Sequence, residues 1–406
     1  MNNKTNANSV DMVTKIKNLL SDNAMLVILI ITMLLFEVLI RGEGKNSLFS
    51  PQNLTNLIGQ NSYVVILAVG MLMCILTGGN IDLSVGSIVI LVSATAGILM
   101  VNWSLNPYLA IVLCLIFGAA IGAWQAFWIA YMRLPSFIVT LAGMLTFRGI
   151  ALVIMNSQNI GPFPDSYRNL FNRYIPSSWI PGDDPESVFA ISVIIAIVIC
   201  AVWVGADIFT RIKKQRDGYN ADNIIWLIMR LLVICGAVVF ILTRLGLHNG
   251  IPVVLVLIAA IVMIYAYFTQ NTIYGRYLYA MGGNEKAAQL SGINTKKMLF
   301  FAYTNMGFLA GVSALVVTAR FNQASTQAGS GYELDAIAAC FIGGASAYGG
   351  VGKVSGVIIG AIFMGVLNMG MSLLGADQNL QRVIKGLVLL AAVVFDILSK
   401  KQRLKV

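Results

Sequence analysis

Few residues in this chain can do chemistry, and those that can are set among apolar neighbours. Asp82 follows Gly-Gly-Asn-Ile in the stretch 78–87, Arg148 lies within an apolar run in TFRG, and Glu37 interrupts another. Glu333 and Asp335 stand at the start of a further apolar run. A charge at membrane depth costs about 2.5–3.5 kcal/mol on insertion scales, so each needs a partner, a helix end or a water-filled cavity. For Asp82 two arrangements are open: a cap on the helix beginning near Leu83, or a buried ion pair with Arg148. Glu333 and Asp335 can likewise cap the helix they begin or line a polar path through the apolar surroundings. Enzyme chemistry finds no footing here. The single histidine, His248, cannot supply a multi-histidine metal site, and the five cysteines lie in apolar runs without a C-x-x-C pair. The run GGVGKVSG at 349–356 lacks the spacing of a phosphate-binding G-x-x-x-x-G-K-[ST] loop and the hydroxyl after its lysine. No nucleophile, base and orienter are arranged together, so neither catalytic residue nor metal nor cofactor is expected.

The residues best placed to act on another protein form a small polar island, AMGGNEKAAQLSGI at 280–293, between two long apolar segments. Asn284 is suited to cap a helix, because its side-chain oxygen can accept from an orphan N–H of the first turn. Glu285 then lies at the positive end of the helix dipole, and Gly292 can take the left-handed conformation that stops a helix. A helix of about two turns follows, too short to persist unless flanking segments clamp it. Gly282 and Gly283 precede it and Ser291 closes it, while Ala287, Ala288, Leu290 and Ile293 are expected to be available to a partner. By themselves these residues fit a tight connector or a docking element.

The elements that must hold the island are membrane helices. Of 406 residues 58% are hydrophobic and only 11% charged, and the mean hydropathy is +0.81, far outside soluble proportions. Apolar runs fall at 24–40, 63–77, 88–101, 108–131, 137–155, 188–206, 224–243, 252–267, 298–319, 336–347, 357–374 and 383–398. The expected fold is therefore an all-α polytopic transmembrane bundle of about 12 segments, some short or broken. Thirty-eight glycines fit helices whose backbones approach closely. The net charge of +10 divides as topology signals and not as a nucleic-acid patch. Lysines and arginines favour one side about two to one, which places both termini and the island in the cytoplasm. The expected parts are a cytoplasmic tail at 1–23, a transmembrane domain at 24–398 and a basic tail at 399–406. Within the domain, 156–187 reads as an outer loop, 209–223 as a basic cytoplasmic loop facing anionic lipid, and 270–297 as the loop bearing the island.

The run 336–347 is too short to cross and contains Gly343 and Gly344. Broken backbone at membrane depth is tolerated inside protein or beside a cavity, so this stretch is expected to line the path or pack the core. Tyr332, Phe341 and Tyr348 offer their rings to whatever occupies such a path, and Asp82, Ser84 and Arg148 belong to the same expected core.

Three stretches, GGNIDLSVGS at 78–87, the island at 280–293 and AGSGYELDAIAACFIGGASAYGGVGKVSG at 328–356, resemble the permeases of bacterial ATP-binding-cassette sugar importers. The resemblance runs from about 54 to 398 and touches the ribose, galactose and xylose systems. An extra helix pair around 188–243 resembles the xylose-type and multiple-monosaccharide branch. It implies a homodimer of permease copies in the bacterial inner membrane, importing a monosaccharide, with a separate cytoplasmic ATPase and an extracytoplasmic sugar-binding protein as partners. The island then corresponds to the coupling helix that docks on the ATPase, and 156–187 to a docking surface for the binding protein. Permeases for nucleosides or branched-chain amino acids, and an ion-coupled secondary transporter, are the competing readings.

Overall fold

In hydrocarbon every backbone N–H and C=O must be satisfied within its own segment, so the apolar runs become helices. The structure, a computed structural model, describes residues 24–175, 185–216 and 224–403. The tail 1–23, the acidic part of the outer loop at 176–184, the loop 217–223 and residues 404–406 lie outside the described residues.

The chain opens with α1 (Ala24–Gly42), α2 (Pro51–Leu76) and α3 (Val85–Gly97), the last continued by a π-helical turn, Ile98–Asn102. Next come α4 (Pro107–Ala130), α5 (Ser136–Ile154), the short α6 (Asp165–Asn172), α7 (Pro185–Arg216), α8 (Ile224–Gly246) and α9 (Val253–Asn271). The island lies at α10 (Ile273–Gly283) and α11 (Glu285–Leu290). Last are α12 (Thr295–Phe321), the short α13 (Tyr332–Ile342), α14 (Val354–Leu373) and α15 (Gln378–Arg403). Among the described residues ten helices are long and apolar enough to cross a membrane, and α13 and α15 complete a polytopic bundle. Helix starts follow local rules: Ser50 caps α2 and Asn106 caps α4, each followed by proline in the first turn.

The core is α2, α3, α12 and α14, which bury most of their length, while α1, α7, α8 and α9 turn apolar side chains outward as lipid-facing helices do. Close packing rests on missing side chains. Gly118 and Gly122 of α4 meet Gly307 and Gly311 of α12, and a Cβ on Gly307 would stand 2.3 Å from the Gly118 carbonyl. Such small-xxx-small faces let helices approach where hydrocarbon gives no hydrophobic drive.

Several boundaries differ from the sequence expectation. α2 starts at Pro51, twelve residues before the apolar run at 63, because polar Gln52, Asn53 and Asn56 belong to its first turns. RIKKQR, expected in a loop, continues α7 to Arg216, since nothing in it breaks a helix. The stretch expected as an outer loop is not merely superficial: Tyr167 of α6 is fully buried and donates to the Leu315 carbonyl at 2.7 Å, and Asn172 donates to the Ala319 carbonyl at 2.7 Å.

Two strands of two residues, β1 (Tyr174–Ile175) and β2 (Ile251–Pro252), pair antiparallel with Tyr174 opposite Pro252 and Ile175 opposite Ile251. Everything between them is the α7–α8 excursion. That pair packs on itself and joins the bundle at a small cluster of Leu54, Ala196, Leu242, Leu245 and Ile251.

Candidate functional site

Two irregular stretches break the helical pattern and determine where function can reside. Residues 322–331 turn back into the bundle instead of staying on its surface. Ala324 bridges to Ile160, and Gly329 lies so close to Gly86, in the first turn of α3, that a Cβ on Gly86 would stand 2.1 Å from the Gly329 carbonyl. α13 thereby begins at the level of Tyr63, midway along α2, whose hydroxyl donates to Asp335. The helix is a half-span starting inside the protein, with Gly331 in a left-handed conformation at its N-cap.

Around that buried start stands a charged node. Asp335 is fully buried and receives Lys385 of α15 at 3.0 Å, the Tyr63 hydroxyl, and Asn368 of α14 at 3.4 Å. Its other oxygen, Oδ1, and Asn368 Oδ1 are buried without a donor. Tyr332 stacks on Tyr63 with ring centroids 3.7 Å apart. Glu333 lies beside Gly86 and within the field of Arg148. The negative groups sit in the first turn of α13, where the helix dipole favours them.

From Ile342 the chain leaves helix and runs through 343–353 to the C-terminal ends of α2 and α10. The Gly350 N–H donates to the Leu76 carbonyl at 3.2 Å, and a Cβ on Gly79 would stand 2.1 Å from the Ala347 carbonyl. Gly282, at the end of α10, touches the same place: its Cβ would stand 2.0 Å from the Leu76 carbonyl and 2.2 Å from the Gly350 nitrogen. Tyr279 donates to the Gly352 carbonyl at 2.7 Å. Burial raises the Tyr279 phenol above its ordinary range despite a bond with Thr269, so it remains a donor at neutral pH.

The island itself is built as local rules require. Asn284 accepts from the Ala287 N–H at 3.0 Å, α11 runs six residues, and Gly292 ends it at φ 86°. Leu290 is 90% exposed, and Gly283, Lys286, Ala287, Gln289, Ser291 and Gly292 face solvent with it. Ala288, expected to be available to a partner, is instead buried on the inner side of α11, while Ile293 is half-buried against the core. Ala288 is the residue of α11 that turns to the core, while Lys286, Ala287, Gln289 and Leu290 stay outside. Glu285 is held by Arg133, from the turn between α4 and α5, at 2.5 Å.

Of the two arrangements open to Asp82, the structure shows the local one at the start of α3, and no ion pair with Arg148 occurs among the described residues. Asp82 is buried and accepts from the Ser84 N–H at 2.8 Å and the Ser84 hydroxyl at 2.6 Å, turning the chain into α3. Ser84 in turn accepts from Gln125 of α4 at 2.6 Å, so the carboxylate is satisfied locally. Tyr332, Phe341 and Tyr348 do not gather around one ligand. Tyr332 is at the level of the middle of α2, Phe341 is buried about 13 Å further down α13 at 1.5 Å per residue, and Tyr348 is exposed in the irregular stretch beyond it. Gly343 packs on Gly356, whereas Gly344, at φ 84°, has open space about it.

Arg133, Tyr63, Asn368 and Lys385 escaped the sequence reading as site residues. Arg133 and Lys385 were visible only as topology charges, and their partners lie 152 and 50 residues away.

Residues 53–393 match the family described as branched-chain amino acid transport system / permease component. A xylose transport system permease protein of Escherichia coli (strain K12) is 34% identical over 355 residues, covering 87% of this chain and 86% of the relative. The corresponding xylose protein of Haemophilus influenzae is 35% identical over 380 residues, covering 93% and 96%. A ribose import permease protein of Escherichia coli (strain K12) is 33% identical over 354 residues, covering 87% and 88%. No solved structure matches the chain.

Proposed function

We propose that this chain, which belongs to the branched-chain amino acid transport system / permease component family, is the membrane subunit of an ATP-binding-cassette importer for a monosaccharide. The observation that carries the reading is the joint at Gly282. The end of α10, which leads directly into the short capped helix with Leu290 exposed, is set backbone to backbone against the irregular limb of a broken helix. An ATPase subunit that grips α11 from the cytoplasm thereby moves 343–353 with it. The sugar is delivered outside by a binding protein, passes beside the buried start of α13, and leaves as the inner limb parts. A second copy of the permease completes the pathway, and the assembly sits in a bacterial inner membrane.

The choice of a sugar follows the xylose and ribose relatives, each matched over most of its length, in preference to the amino acids of the family description. An ion-coupled carrier needs titrating acids at depth. Here Glu37 is engaged by Ser47, Leu48 and Arg41, Asp82 by Ser84, and Asp335 by Lys385, which leaves Glu333, in the field of Arg148, as the acid a protonophore must test. The test is uptake of labelled xylose and ribose by cells expressing the permease with its ATPase and binding protein. Uptake should survive a protonophore and stop on ATP depletion; the reverse pattern overturns the ATP-driven reading. Leu290→Glu should abolish co-purification with the ATPase, and retention of the complex would remove α11 from that role.

A further inference from the structure

The turn between α4 and α5 carries an arginine that the transport reading has not used. Arg133 adopts a left-handed backbone, φ 59°, a conformation side-chain-bearing residues seldom hold unless their surroundings fix it. Its guanidinium has two arms. Nη1 meets Glu285 Oε1, the first residue of α11, at 2.5 Å, and Nη2 donates to the hydroxyl of Thr295, the first residue of α12, at 3.3 Å. Thr295 is buried, whereas the ion pair is about 40% exposed on either side. The planar fork of arginine suits such a double grip, which lysine cannot reproduce.

The same turn is tied inward. Ser136, which opens α5, donates to Asn80 at 2.9 Å, and Asn80 donates to the Thr77 hydroxyl at 3.1 Å. Those residues belong to the stretch that carries Asp82 and ends at Ser84, which Gln125 of α4 holds in turn. A continuous set of bonds therefore runs from α11 through Arg133 to α5 and the 77–84 stretch. It enters the bundle from the α4–α5 side and converges with the glycine joint, which runs from α10 to 343–353, where Gly79 packs on Ala347 and Gly349 on Gly78.

We propose that Arg133 is a positioning residue that transmits displacement of α11 to the α4–α5 turn, so that both inner stretches, 77–84 and 343–353, move in one stroke. The proposal rests on the coupling role of α11. An exposed ion pair adds little to stability, so variants at Arg133 should insert normally and lose only the transmission.

The experiment uses the permease reconstituted in liposomes with its ATPase and binding protein, with xylose as the probe sugar. Sugar moved per ATP hydrolysed is measured beside co-purification of the ATPase. Arg133→Ala should retain the ATPase and its hydrolysis while the ratio falls at least about fivefold, the lower end of ordinary coupling between sites. Arg133→Lys, which keeps the charge and one arm, should fall between. The exchange Arg133→Glu with Glu285→Arg should recover most of the ratio, while either single reversal should not. A wild-type ratio in Arg133→Ala, or no recovery in the exchanged pair, overturns the relay. Should Arg133→Ala fail to accumulate, Arg133→Lys and the exchanged pair decide it alone. Leu290→Glu separates the two readings. If it leaves binding and uptake intact, the coupling role of α11 fails; if it abolishes them while Arg133→Ala keeps the ratio, only the relay fails.

Discussion

At Asn284 one side-chain oxygen holds the start of a six-residue helix, too short to persist alone. Asn284→Ala should release that cap at a cost of about 1 kcal/mol, and amide exchange at Ala287 should quicken roughly fivefold. Ala288→Leu should act differently. Its side chain is buried, so the larger residue should lift α11 off α12 and lower the thermal midpoint before any partner is present. The cap and the stop at Gly292 were legible in the sequence because they depend on residues within one turn. Arg133 was not, since its partner is 152 residues away and nothing local distinguishes it from any other loop cation. The same holds for Asp82: its carboxylate is answered by Ser84 two residues on, but Gln125, which completes that set, comes from another helix.

Among the elements, the contact of α4 with α12 is the clearest case of sequence composition becoming geometry. Gly307→Val should force the two backbones apart, lowering stability by about 1–3 kcal/mol in detergent unfolding. Gly149→Ala in α5, where a Cβ meets nothing within 4 Å, should be neutral or mildly stabilising by comparison. Spans were legible because hydrocarbon imposes helices on long apolar runs. The inward return of 322–331 was not, since a polar stretch between two apolar ones reads as a surface loop until Gly86 and Gly329 are seen to touch. The short run at 336–347 did announce a broken helix, and the structure makes α13 a half-span ending at Ile342.

At the scale of the whole molecule, α13 and its irregular limb reach from a charged node at mid-depth to the glycine joint inside. Lys385→Met should strand Asp335 and cost about 3–5 kcal/mol, read as a fall in the thermal midpoint. Adding Asp335→Asn should restore much of the loss, because the buried negative charge is then gone. If the double variant is no better than the single one, the pair is not what holds α15 to α13. The overall bundle was readable from hydropathy, but which charges meet inside it depends on how helices distant in sequence are rotated against one another.

The little ladder of Tyr174 with Pro252 and Ile175 with Ile251 has a bearing on ancestry and engineering alike. A chain that leaves a place and returns to the adjoining one has made a detour, and a detour can be bypassed. Splicing residue 175 to residue 251 through a brief flexible bridge should yield a shorter importer whose remaining helices stay in register, with uptake of the probe sugar preserved. Whatever the omitted hairpin contributes would then stand apart as an accessory, measurable by what the trimmed protein no longer does.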